Sequence, residues 1–475
     1  MNKLKVPLLL CLASCATSLG ETASAVTTPE QDTLQALIKV GGEVFLPAGS
    51  FVVGEVGTTS YCLTVPAGTH VHGAGQGATI LTMAEQSSAS VSIFNLTGNE
   101  SSLQDLTLDG NKANQVVTKD IGEHRHGVFA HDGANIQISN ITAQNFTGDG
   151  IYLSTGLTNA TVTSSTSQNN IRHGITLGAT QTGTVISGNH LSGNTGQQID
   201  SEPVGTDIIN DATVANNMIE APAGLYAVTV GGTSGATTAT QGTRWSIHDN
   251  TITGSLRLTW MNNVTIANNT ITLSDDKSAV EINRNSSDIT ISGNTLAQTG
   301  PERNVSGVYI VGTSTVNMPS KIFVTGNHIS VANTTAFGVR ATGTIDVTVT
   351  GNTITGPTGG TDETYAGATM RATLTGRHSE RFVVTDNTIN GFARGVGVSG
   401  DKTKAWIIDE LDVARNTINS SHGVGLDATN DTPSALLVMG NTWGPGVALP
   451  HVSPASSNTT IIASDEPITV VAATP

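Results

Sequence analysis

Within one stretch of the 475-residue sequence, His126, His131, Tyr152, Arg172, His173, Asp200 and Glu202 are of the types that move protons. Histidine, tyrosine and carboxylic acids serve as general bases or acids, and an arginine holds an anionic group while charge develops on it. Asp200 and Glu202 stand at i and i+2, which in a strand directs both outward about 7 Å apart, within the window for paired carboxylates in glycoside hydrolysis. The competing reading of this pair is two solvated acids at a turn before Pro203. Asp149 is a further carboxylate placed to contact substrate. Calcium would bridge Asp149, Asp200 or Glu202 to an acidic sugar, although no contiguous calcium motif accompanies them.

Such scattered residues need a scaffold that returns at a fixed period, and the sequence supplies one. The pattern Asn-x-aliphatic recurs at Asn189, Asn217, Asn250, Asn269, Asn294, Asn327, Asn352, Asn387, Asn416 and Asn441. The spacing, roughly 19 to 35 residues, is that of one solenoid coil. Asparagine tolerates the left-handed conformation of a bend, and stacked amides hydrogen-bond along an axis. These residues are therefore expected to hold coils in register and to do no chemistry. Short alternating strands such as Asp288-Ile289-Thr290-Ile291 precede the asparagines, and a second strand follows a glycine, as in Gly150-Ile151-Tyr152-Leu153. The expected fold is all-β, a single-stranded right-handed parallel β-helix over residues 26–445, with a tail over 446–475. Leu34, Leu37 and Ile38 at helical spacing predict a helix capping the first coil.

Taking the outward residue of each second strand gives a row that includes Phe129, Tyr152, Thr176, Asp200, Tyr226, Arg257, Glu281, Tyr309, Arg340 and Arg371. Three of the chain's five tyrosines fall in it, which marks this face for function. Asp149, Tyr226, Arg257, Glu281, Tyr309, Arg340 and Arg371 are the expected substrate-binding residues. Arg257 beside Glu281 equally suits a cross-coil salt bridge. Arg340 directly beside Arg371 would destabilise a ladder unless an anionic ligand relieved the repulsion.

Charged residues make up only 12% of the chain and aromatics 4%, a mixture too turn-rich for a helical protein. The formal net charge of -16 argues against nucleic acid as a partner. Residues 1–25 read as a signal peptide: Lys3 and Lys5 precede the apolar run Val6 to Leu12. Two cleavage sites compete, one before Cys15 in the pattern of a bacterial lipoprotein and one after Ala23-Ser24-Ala25. The protein is thus expected outside the cytoplasm, secreted, periplasmic or held at the outer membrane by an N-terminal lipid, and as a monomer. Cys62 has no partner in the mature chain and is expected in the core.

The segments Gly41 to Gly49, Cys62 to Val65, His72 to Thr79 and Asp105 to Asn111 resemble, in order, the opening coils of the pectate-lyase-like superfamily. They look closest to the catalytic modules of mannuronan C5-epimerases, and the resemblance extends over roughly residues 30 to 200. It implies abstraction of the C5 proton of a uronic acid, followed by reprotonation from the other face or by expulsion of the 4-linked sugar. Asn170-Ile171-Arg172-His173-Gly174 is similar to the family's Asn-Asp-Arg-His-Gly segment, which implies substrate-binding and catalytic roles for Arg172 and His173. The family's Tyr-Gly-Phe-Asp-Pro-His-Glu motif falls on His126 to Asp132 and keeps its histidine, as His131, besides Gly127. Its tyrosine is His126 and its aspartate is Phe129, which leaves His126, Tyr152 and His173 as acid and base candidates.

The sequence thus points to an acidic, uronate-containing polysaccharide, processed by a lyase or epimerase. The alternatives are a glycoside hydrolase using Asp200 and Glu202, and a non-catalytic glycan-binding surface protein.

Overall fold

The computed structural model describes residues 28–471 apart from 55–60, 88–91, 117–123, 233–239, 315–316, 358, 360–364, 373–377, 400–406, 420–423, 431–434, 445–446, 448, 455–459 and 465–468. The expected signal peptide lies outside the described residues.

Alternating strands separated by tight turns cannot bury their apolar side alone, so successive coils stack in parallel around one core. A 16-stranded parallel sheet forms one face, running from Tyr61–Val65 through Val128–His131, Ile151–Leu153, Ile175–Gly178 and Ile199–Glu202 to Thr469–Val471. A 32-stranded sheet forms the rest of the wall. In the first sheet Val128, Ile151, Ile175, Ile199, Val228, Leu256, Val280, Val308 and Val339 are paired in register, and all are fully buried. Burial of each such side chain is worth about 1.5–3 kcal/mol, and the unbroken column fixes which residues between them face outward. This is the expected right-handed parallel β-helix. The ladder extends past residue 445, where Val424 pairs with Leu449 and Ala435 with Thr460, so the segment expected as a tail adds strands.

The asparagine ladder is continuous. Asn189, Asn217, Asn250, Asn269 and Asn294 pass amide hydrogen bonds from coil to coil at 2.9–3.0 Å, and the chain continues through Asn327, Asn352, Asn387 and Asn416 to Asn441. The left-handed residue of each bend is the one before the ladder asparagine: Asn216, Asp249, Asn268, Asp386 and Arg415, or a glycine such as Gly293. Each ladder side chain is spent on amide bonding inside the wall.

At the N-terminus the helix Thr28–Ile38 buries Leu34 and Ile38 on the first coil. Gln35 meets the open edge of strand Tyr61–Val65 as a strand would, donating to Thr64 O at 3.0 Å and accepting from Thr64 N at 2.7 Å. Cys62 is buried, as expected.

Candidate active site

The first sheet brings the residues around position 150 to 200 onto one patch of adjacent coils. Asp149 is its hub. It is fully buried, accepts the His173 N–H at 2.8 Å and pairs with Arg172 Nη1 at 3.2 Å. Placing it among the substrate contacts was wrong: a carboxylate this deep and this fully engaged orients its neighbours instead. Burial raises its pKa, with Arg172 and His173 opposing.

His126 is buried as well, and its Nδ1 accepts the backbone N–H of Asp149 at 3.0 Å. The same nitrogen lies 3.3 Å from Asp149 Oδ2. A backbone N–H can only donate, so Nδ1 is the acceptor and the ring proton belongs on Nε2. Burial first, and then Arg172 and His124, hold the His126 pKa well below the usual range, so this ring stays neutral.

His173 repeats the arrangement one coil further on, where its Nδ1 accepts the Gln197 N–H at 2.9 Å. Its Nε2–H is thereby aimed at Asp200 Oδ2 and Glu202 Oε1, each 3.6 Å away and beyond a hydrogen bond. Burial works to lower the His173 pKa, but Glu202, Asp149 and Asp200 outweigh it. A second ring proton would nonetheless face the Gln197 N–H, so the cluster's titrating proton is better placed on Asp200. Burial pushes that carboxyl up to about 7, and its Oδ1 is buried without a partner. Burial also works to raise Glu202, but His173 and Arg172 hold it down to about 2, with Arg172 Nη2 at 2.6 Å.

His173, Asp200 and Glu202 offer ligand atoms within 4.8 Å of one another. A metal would need the Nε2 lone pair, which the Gln197 contact replaces with a proton, so the trio is reduced to two carboxylates and does not fit a cation well. Asp149 is unsuited to calcium for the reasons above. The oxygens of Asp200 and Glu202 thus lie closer than the sequence spacing suggested, with the His173 Nε2–H facing both.

Tyr152 lies across the patch. Its ring stacks on Phe129, with centroids 5.5 Å apart and planes 4° apart, and on His126 at 4.9 Å. Its hydroxyl sits over Gly178, where an added Cβ would fall 2.3 Å from the oxygen. Gly178 pairs with Glu202, so the phenol reaches the carboxylate row. Burial, Glu202 and Asp149 push its pKa up to about 12, which keeps it protonated. His131 lies on the other side of Phe129. Its Nδ1 is 2.8 Å from Asp132 Oδ2, which fixes the proton there, and its Nε2 has no partner.

Farther along, the outward row needs two corrections. Asp200 pairs with Thr229, not with Tyr226, because the register shifts between Tyr226 and Val228. Arg340 pairs with Thr369, while Arg371 pairs with Thr342, so the two arginines are diagonal neighbours and not directly opposed. Arg257 does pair with Glu281 in the ladder. Its guanidinium rests on the Tyr226 ring at 4.1 Å, and Glu281 accepts from Tyr226 at 3.0 Å and Asn283 at 2.7 Å. Sequence reasoning missed Lys277, 5.0 Å from the same ring, and the parts played by Phe129 and Gly178. An unusual glycine among outward residues was the available signal for Gly178.

No protein-family model matches the chain. Mannuronan C5-epimerase AlgE1 of Azotobacter vinelandii is 33% identical to it over 129 residues, which are 26% of this chain and 9% of that protein. Mannuronan C5-epimerase AlgE2 of the same organism is 35% identical over 104 residues, 20% of this chain and 10% of that protein. The matched segments thus span about a tenth of the length of these relatives. Among solved structures, the A-module of the Azotobacter vinelandii mannuronan C-5 epimerase AlgE6 superposes with a TM-score of 0.58 at 20% identity, covering 87% of this chain and 95% of the module. The chain therefore has the right-handed parallel β-helix fold of such A-modules, and about a quarter of its sequence is similar to mannuronan C5-epimerases.

Proposed function

We propose that the protein is an exported enzyme that acts on a uronate-containing polysaccharide by abstracting the C5 proton, as a lyase or an epimerase. The observation that carries this reading is the Tyr152 hydroxyl, held over Gly178 between His131 and the Arg172–Glu202 pair. Ser154 and Gly178 follow His131 along one outward row, so a sugar above them would meet His131 on one side and Tyr152 on the other. His131, protonated on Nδ1 toward Asp132, has an unpartnered but buried Nε2, so its service as base requires the ring to turn toward the sugar. Tyr152, protonated throughout the physiological range, is the acid.

The carboxylate of the reacting sugar would be met by donors. The Nε2–H of His173 and the protonated Asp200 carboxyl both lie beside Arg172, whose own charge is balanced by Asp149 and Glu202. Neutral donors in a buried site stabilise the developing anion as the C5–H bond breaks. Elimination then breaks the C4–O bond, whereas epimerisation returns a proton from the opposite face.

Incubating the protein with polymannuronate, polygalacturonate and unsulfated glycosaminoglycans in deuterium oxide tests this. Deuterium at C5, or an unsaturated product absorbing in the ultraviolet, is expected and should vanish in Tyr152→Phe. The reading fails if no polymer either exchanges at C5 or yields an unsaturated product, or if Tyr152→Phe keeps the full rate. A second reading, glycoside hydrolysis, rests on the split of Asp200 to about 7 and Glu202 to about 2. It predicts new reducing ends that disappear in Asp200→Asn.

A further inference from the structure

We propose that Arg340 and Arg371 form a distal anchor that binds an anionic group of the polysaccharide, far along the same face from the proton-transfer centre. Both side chains point outward: Arg340 stands between the fully buried Val339 and Ala341, and Arg371 between the buried Met370 and Ala372. The register Thr342 to Arg371 sets them diagonally on neighbouring strands. Three arginines elsewhere on the surface have carboxylate partners: Arg244–Asp211 at 2.6 Å, Arg381–Asp346 at 3.4 Å and Arg415–Asp386 at 2.7 Å. Among the described residues, no acid stands within ion-pair distance of Arg340 or Arg371.

Arg340 gives one hydrogen bond, from Nη1 to the backbone oxygen of Asn304 at 3.3 Å, while its Nε is buried and unpartnered. Its guanidinium lies 4.8 Å from the ring centroids of both Tyr309 and Phe337. Burial chiefly lowers its pKa, with a smaller lowering from the charge of Arg371 and with Tyr309 opposing. In a chain of net charge -16, two neighbouring cations with no acid beside them among the described residues call for an external anion. Of the two rings, Tyr309 is the one a sugar can meet, since Phe337 is fully buried, and it fits that anion on a sugar ring. The chemistry is a carboxylate or sulfate, borne by a glycan and not free in solution.

Five strand spacings separate Asp200 from Arg340 along the sheet, about 24 Å. A pyranose in an extended chain is close in length to one coil step, so roughly six sugars bridge the gap. The anchor therefore makes affinity depend on chain length: short oligomers fill only the reacting region, and longer ones gain a second attachment. This rests on the proposed C5 chemistry only for where the reacting sugar lies.

Calorimetric binding of trimers and decamers of oligomannuronate and oligogalacturonate tests it, with wild type, Arg371→Gln, and Arg340→Gln with Arg371→Gln. The wild type should bind the decamer of at least one series on the order of tenfold more tightly than its trimer. The double substitution should remove that gain, and Arg371→Gln alone should reduce it. Arg371→Gln keeps the test available if the double variant does not fold. A length gain that survives the substitutions overturns the anchor, as does equal affinity for trimer and decamer in the wild type. Inorganic sulfate binding as tightly as the decamer, through the same arginines, would also overturn it by assigning the pair to a free anion. Because binding is read without turnover, a protein that shows the gain but neither exchanges a C5 proton nor forms an unsaturated product refutes the proposed chemistry and leaves the anchor standing.

Discussion

Gly178→Ala separates positioning of the catalytic tyrosine from stability of the fold. The added Cβ would stand 2.3 Å from Tyr152 Oη and 2.7 Å from Cζ, where ordinary contacts are about 3.5 Å or more, so the phenol must retreat by roughly 1 Å. It cannot do so freely, because Phe129 and His126 pack against its ring. Misplacement of a reacting group by 1 Å costs about a hundredfold in rate, equivalent to about 2.7 kcal/mol in the barrier. Gly178 lies outside the left-handed region, so alanine is allowed there, and replacing a strand glycine gains about 0.5–1 kcal/mol through the unfolded chain. The expected outcome is a kcat for C5 deuterium exchange lower by about two orders of magnitude, with a melting temperature at or near that of the wild type. A variant with unchanged melting and a kcat within about twofold of wild type would refute the placement of Tyr152 as the proton donor.

Other substitutions test other parts of the site and wall. Asp200 binds its proton more tightly folded than unfolded, so this group lowers stability as pH rises from about 4 to its folded value of about 7. The loss is at most about 4 kcal/mol, and Asp200→Asn should abolish that part of the pH dependence in denaturant titrations. Glu202 has the opposite sign: its contribution is complete above the unfolded carboxylate range and is lost as pH falls toward 2, which Glu202→Gln should flatten. Asp149→Ala takes one of two carboxylates from Arg172 and leaves the buried His173 N–H without this acceptor, and should cost about 3–5 kcal/mol by chemical denaturation along with activity. Asn294→Ala leaves the Asn269 backbone and amide donors without their shared acceptor, and should cost about 2–6 kcal/mol while leaving oligosaccharide binding intact in the folded fraction.

The fold was readable because its determinants are local and periodic. Each coil carries its own aliphatic column residue and its own asparagine, and stacking only adds like to like. The outward row was readable only as far as the coils keep one length. It slipped at Tyr226, where the extra residue between Tyr226 and Val228 shifts the register, and again at Arg371, where a longer strand places the arginine two positions beyond Thr369. Asp149 was misjudged for a different reason. A carboxylate in a sequence reads as exposed, and only the next coil shows that Arg172 and the His173 N–H enclose it. The proton positions on His126 and His173 depend likewise on backbone N–H groups one coil away, which composition does not encode.

The side chains of Glu30, Gln31 and Gln35 take the N–H groups of Val52, Gly54 and Thr64, at 2.8, 3.2 and 2.7 Å. A parallel solenoid is otherwise a template, since the upper edge of its first coil offers the same pattern that every coil offers to the next. The helix thus acts as a terminator of growth. With it in place those three N–H groups are already taken; without it, the free edge would accept the trailing edge of another copy, and the same hydrogen bonding that stacks the coils would propagate a filament.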